Sequence, residues 1–188
     1  MNRHTIFLSL VLTSAAVAQT PAPCEGLPPG KHSLLERFTA DFGLTCDQQV
    51  KAEHMLHAEE SVSKPLLAFT AFSSEEQRAA ILKIKLAARR QVRTLLTPYQ
   101  QRKMDIEIET VAASASKSGK KGAAKKTAQV NAYENLQTLC RAIQNYEALE
   151  RAEKAALVLQ VRQAALKDEN LGLTEAQRKQ VSEEMSKK

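Results

Sequence analysis

The chain has 188 residues, 27 of them Lys or Arg and 21 Asp or Glu, giving a formal net charge of +6 at pH 7. That length suits one domain, and the basic balance favours acidic proteins, anionic lipid or nucleic acid as partners over cationic ones. With no Trp, three Tyr and five Phe, an aromatic-rich core is excluded.

Met1-Asn2-Arg3-His4-Thr5 leads into an uncharged apolar run, Ile6 to Val17, that reaches Ala16-Val17-Ala18. A short basic start, an apolar stretch of about a dozen residues and an A-x-A site form the pattern of a secretory signal peptide. Residues 1–18 are therefore expected to be cleaved on export to the periplasm. A membrane-spanning helix needs about 20 apolar residues, so no stable membrane insertion is expected. Export also removes nucleic acid from the partners. Residues 19–32 hold Pro21, Pro23, Gly26, Pro28, Pro29 and Gly30 and read as an irregular leader. In an oxidising compartment three cysteines predict one disulfide and one leftover thiol. Cys24 is expected to pair with Cys46, because the leader can reach it; an odd cysteine could also link two chains.

From Lys31 onward Gly and Pro are scarce, and Ala, Leu, Gln, Glu, Lys and Arg favour helix. No segment alternates apolar and polar residues, so the predicted fold is all-α. Four S/T-x-x-Q boxes mark helix starts: Thr45 to Gln48, Ser74 to Gln77, Thr97 to Gln100 and Thr174 to Gln177. In a capping box the hydroxyl accepts from the backbone three residues on, and the third side chain reaches back to the cap. The predicted helices are 33–41, 45–70 (kinked or broken at Pro65), 74–95, 97–115, 130–169 and 174–186. Residues 114–129, with Ser114-Ala115-Ser116-Lys117-Ser118-Gly119-Lys120-Lys121, form a basic flexible linker. The 130–169 helix would be about 60 Å long. Leu149, Ala152, Ala156, Leu159, Gln163 and Leu166 would make a coiled-coil seam along it.

Three boxes carry Leu before Thr: Leu44-Thr45-Cys46-Asp47-Gln48, Leu96-Thr97-Pro98-Tyr99-Gln100 and Leu173-Thr174-Glu175-Ala176-Gln177. This resembles the LTxxQ motif of the Spy/CpxP family of periplasmic stress proteins. Residues 33–113 resemble one helical module of that family, and 130–188 a helical extension or diverged second unit. The resemblance implies long helical hairpins, a cradle-like homodimer and ATP-independent, chaperone-like binding of unfolded or partly folded proteins. Some relatives instead bind or sense metal.

Two groups of residues could carry function. Arg78, Lys85, Arg89 and Arg93 fall on one stripe of the third helix, with Ile81 and Ile84 on an apolar stripe beside it. Cations next to apolar side chains suit capture of unfolded chains. His54 and His57, one turn apart, with Glu53 could form part of a site for Zn, Cu or Ni. Enzyme signatures are missing: there is no Gly-rich phosphate loop and no G-x-S-x-G elbow. Cys46 at a helix start has no base beside it, so no catalytic residue is expected.

Overall fold

The computed structural model of the chain describes Cys24, Leu27, residues 33–117 and residues 131–186. The expected signal peptide, the rest of the leader, residues 118–129 of the basic linker, residue 130 and residues 187–188 lie outside the described residues. Seven α-helices follow in order: α1 (Ser33–Phe42), α2 (Cys46–Ala68), α3 (Ser74–Arg93), α4 (Pro98–Lys117), α5 (Ala132–Asn145), α6 (Arg151–Lys167) and α7 (Glu175–Ser186). A 3₁₀ turn, Glu169–Leu171, precedes α7. Among the described residues there is no strand, and no helix is long and apolar enough to cross a membrane.

Hydroxyl caps set the helix starts. Thr45 Oγ1 accepts from Gln48 N at 3.3 Å, and Gln48 Oε1 accepts from Thr45 N at 3.0 Å. Thr97 with Gln100 and Thr174 with Gln177 repeat the pair of bonds. At α3 the expected cap Ser74 gives way to Ser73, which works with Glu76 rather than Gln77. Glu76 accepts from Ser73 N at 2.8 Å and from Ser73 Oγ at 2.7 Å. A carboxylate is the stronger acceptor, and those bonds hold the Glu76 carboxyl below its usual range.

The shift also frees Gln77 for the next device. The fourth helical positions are Gln49, Gln77, Gln101 and Arg178, where a hydrophobic staple would need apolar residues. Each side chain donates instead to backbone just before its helix. Gln49 reaches Leu44 O at 2.9 Å, Gln77 reaches Leu66 O and Leu67 O at 3.1 and 2.8 Å, and Gln101 reaches Leu96 O at 2.9 Å. Arg178 reaches Leu166 O and Asp168 O at 2.8 and 3.0 Å. The last carbonyls of a helix lack an intrahelical donor, so a polar side chain here closes the turn between two helices.

The α2–α3 pair runs through two hydrophobic clusters. At one end Leu35 and Phe38 of α1 and Met104 of α4 pack with Ala52, Leu56 and Val92. At the other, Leu136, Leu139 and Ile143 of α5, Leu157 and Val161 of α6, and Val181 of α7 pack with Val62, Leu66 and Ile84. α2 continues through Pro65 and ends three residues later, at Ala68. Pro65 costs only the hydrogen bond to Ser61 O, in the last turns of the helix.

Three expectations are corrected. The single long C-terminal helix is two helices, α5 and α6, separated at Tyr146–Glu150. No Gly or Pro breaks it. A straight helix would leave Leu139, Ile143, Leu157 and Val161 on unpartnered faces, whereas folding back buries all four, at about 1.5–3 kcal/mol for each large side chain. Tyr146 leaves the helix buried, its hydroxyl donating to Ile84 O at 3.5 Å. The coiled-coil seam fails for the same reason: Ala152, Ala156 and Gln163 are exposed, while Leu157, Val161, Ala164 and Ala165 face the core. Finally, α4 runs on to Lys117, four residues into the expected linker. Residues 131–186 share a hydrophobic cluster with α2 and α3.

Cys24 and Cys46 are joined by a disulfide spanning 22 residues of sequence, while Cys140 is free and buried. Leu27, three residues after Cys24, packs against the α1–α4 cluster, so the link and this contact hold Cys24 and Leu27 on that core. Closing a loop of this length removes about 3 kcal/mol of chain entropy from the unfolded state. The variant Cys24→Ser/Cys46→Ser is expected to lose about 3 kcal/mol in urea unfolding. An unchanged urea midpoint would contradict a stabilising role for this crosslink.

Candidate functional site

The first two LTxxQ motifs meet in space. Gln48 Nε2 donates to Leu95 O at 2.8 Å and to Gln100 Oε1 at 3.1 Å. Gln100 Nε2 donates to Phe42 O, Gly43 O and Gln48 Oε1 at 3.0, 3.2 and 3.5 Å. Each glutamine thus caps its own helix through its oxygen and ties down the segment before the other motif through its nitrogen. Gly43 supplies the left-handed residue (φ 66°) that ends α1 there. The third motif makes only the cap: among the described residues Gln177 meets no second motif.

Two members of the cation stripe of α3, Arg89 and Arg93, lie against α4. Arg89 is 5% exposed. Its guanidinium sits 5.9 Å from the centre of the Phe38 ring and 3.5 Å from Glu107 of α4, and it donates to Lys85 O at 3.2 Å. Burial lowers its pKa from the usual arginine value, and Glu107 and Glu59 act against that. Arg37 of α1 joins the same Glu107. Arg93 makes two bonds to Asp105, at 2.5 and 3.0 Å. These raise the Arg93 pKa and hold the Asp105 carboxyl below the usual range. Ile84 is fully buried and Ile81 half-buried; only Arg78 and Lys85 of the stripe are exposed. The expected surface is therefore divided: Arg89 and Arg93 meet α4, Ile81 and Ile84 pack into the cluster with α5, α6 and α7, and Arg78 and Lys85 face solvent. Periodicity groups residues on one face but does not say that α4 brings Asp105 and Glu107 against it.

Of the metal candidates, His57 meets Glu53, and His54 faces a cleft. His57 Nε2 lies 3.3 Å from Glu53 Oε1, and Nδ1 lies 3.8 Å from Glu60. His54 lines a cleft of about 620 Å³ with Lys51, Met55 and Tyr146. Among the described residues no three His, Cys, Asp or Glu side chains gather as metal ligands.

A surface that sequence reasoning missed is the outer face of α4. Gln100, Met104 and Ile108 turn inward, which leaves Tyr99, Arg102, Lys103 and Ile106 outward. Tyr99 is 69% and Ile106 65% exposed, two of the three large exposed hydrophobics among the described residues. They stand two turns apart, about 10 Å. Lys103 Nζ lies 5.2 Å from the centre of the Tyr99 ring and donates to Asp41 O at 3.1 Å. The signal was available in the seven-residue spacing of Tyr99 and Ile106 around two cations, once Met104 is assigned to the core.

Compared with known proteins, the chain matches no family model, no curated protein and no solved structure.

The paired glutamines generate a test. Glutamate can accept from the cap backbone as glutamine does, but it cannot donate to Leu95 or Phe42. Gln48→Glu/Gln100→Glu would set two carboxylates face to face, which raises their folded-state pKa. Stability is then present below the unfolded carboxylate pKa and lost as pH rises through the folded one. The double variant is expected to melt near the parent at pH 4 and to lose about 2 kcal/mol or more at pH 7. Gln177→Glu should be nearly neutral at both pH values. Equal behaviour of the two sets in thermal melts would mean that the motifs act only as caps.

Proposed function

We propose that this is an exported, periplasmic, ATP-independent chaperone-like protein that binds unfolded or partly folded proteins and catalyses no reaction. The observation that carries the reading is the outer face of α4, where Tyr99 and Ile106 stand exposed around Arg102 and Lys103. An aromatic and an aliphatic anchor separated by cations offer weak apolar contacts without selecting a sequence. The charges draw in acidic chains before those contacts form. The net charge of +6 acts in the same direction. The LTxxQ resemblance and the signal-like leader support the compartment and the stress role. The metal-binding alternative has the His54–His57 spacing and the Glu53–His57 contact behind it.

An aggregation assay with a denatured acidic client and no nucleotide tests the proposal. Suppression is expected at stoichiometric amounts of the exported chain. Tyr99→Ser/Ile106→Ser should weaken it several-fold while moving stability by under about 0.5 kcal/mol per site, as exposed substitutions usually do. Arg102→Gln/Lys103→Gln should slow capture at low salt and matter less as screening rises. No suppression by the parent chain would end the chaperone reading; full suppression by the Tyr99/Ile106 variant would move the site elsewhere.

A further inference from the structure

The groove that seats α7 extends beyond α7. This helix runs back along α6: near its start Arg178 donates to Leu166 O and Asp168 O, and near its end Glu184 pairs with Arg162 at 2.6 Å. Past Glu184 and Met185 the groove continues toward the start of α6 as a cavity of about 400 Å³. Val158, Leu159 and Ala155 line it, with Lys154 and Arg151 at its far end. Glu184 is the one acid in that lining. Among the described residues no acid lies within ion-pair distance of Lys154 or Arg151.

The helix already in the groove is lightly held. Val181 is the buried side chain of α7, and Met185 is half-buried. Glu184 accepts from Arg162 and, at 3.4 Å, from Gln137 of α5. Gly172, at φ 86°, forms the turn before it, a backbone state that other residues resist. The Cys140 thiol lies against Arg162 and near Glu184, with burial raising its pKa.

We propose that α7 is an exchangeable latch, and that its seat on α5 and α6 binds an acidic amphipathic partner helix longer than α7. Such a helix would place apolar residues where Val181 and Met185 lie and an acid where Glu184 meets Arg162. One to three turns further on, its acids would face Lys154 and Arg151, which α7 does not reach. This is helix-in-groove recognition with apolar anchors at 3–4 spacing, and the charge pattern of the groove selects the partner's sign. The site is separate from the α4 face and does not rest on client binding there.

Cys140 gives a native reporter, since the other two cysteines are bonded to each other. The probe is a labelled peptide of residues 173–186 extended at its C-terminus by about three helical turns with Leu at 3–4 spacing and Glu facing Lys154 and Arg151. A control peptide carries Gln in place of the added Glu. Glu184→Gln removes a charged hydrogen bond and is expected to raise the rate of Cys140 labelling by an aromatic disulfide reagent about tenfold. Its affinity for the acidic peptide, read by anisotropy, should rise by a similar factor. Arg151→Gln/Lys154→Gln, at the far end of the groove, should weaken the acidic peptide about tenfold and leave the Gln peptide unchanged. Equal binding of the two peptides to the parent and to Glu184→Gln would overturn the proposal. So would an unaltered Cys140 labelling rate in a Glu184→Gln chain that melts like the parent.

Discussion

The packing of α2 against α3 is the contact on which the rest of the molecule depends. Both helices carry two buried segments. Ala52, Leu56 and Val92 serve the cluster with α1 and α4, and Val62, Leu66, Ala80 and Ile84 serve the cluster with α5, α6 and α7. The cluster with α1 and α4 is the smaller of the two. Each gains from being built on a helix pair that the other also stabilises. The five-residue turn between α2 and α3 is closed twice, by the Ser73–Glu76 cap and by Gln77 on the last carbonyls of α2.

Glutamine recurs at these turns because it can accept and donate at once. A helix start has backbone N–H groups to satisfy, and a helix end has carbonyls. Where two helices meet end to start, one amide side chain can serve both. Gln48 and Gln100 do this across a sequence distance of 52 residues, so the two motifs fasten α1, α3 and α4 around the start of α2. A glutamate would cap equally well and lose the second half of the arrangement.

Electrostatics divides the surface in a way that composition does not reveal. The cations of α3 look like a solvated stripe, yet Arg89 and Arg93 are the ties that hold α4 in register through Glu107 and Asp105. Arg89 keeps its charge in a buried place because an arginine pKa lies so high that a downward shift leaves it protonated. With its inner face committed to these pairs and to Met104, α4 presents Tyr99 and Ile106 to solvent. The exposed apolar surface is thus a consequence of how α4 is held.

The sequence by itself determined the helical content and nearly every helix boundary, because capping is local. Thr45, Thr97 and Thr174 act on residues three positions away, and nothing distant can change that geometry. Even the Ser73-for-Ser74 shift is local, a competition between a carboxylate and an amide for the same cap. The pairing of Cys24 with Cys46 was also within reach, since Cys24 lies only 22 residues before Cys46 in a segment rich in Pro and Gly. Tertiary structure alone decided the rest. Tyr146 to Glu150 has no breaker, and the chain turns there only because α5 and α6 bury more apolar surface folded against each other and the α2–α3 pair than extended. Which face of α3 meets α4, and hence whether Arg89 and Arg93 are free or paired, depends on acids 12 to 18 residues away. Helical periodicity fixes the spacing of side chains around an axis; the rotation of that axis toward its neighbours is set by the sum of all the packing contacts.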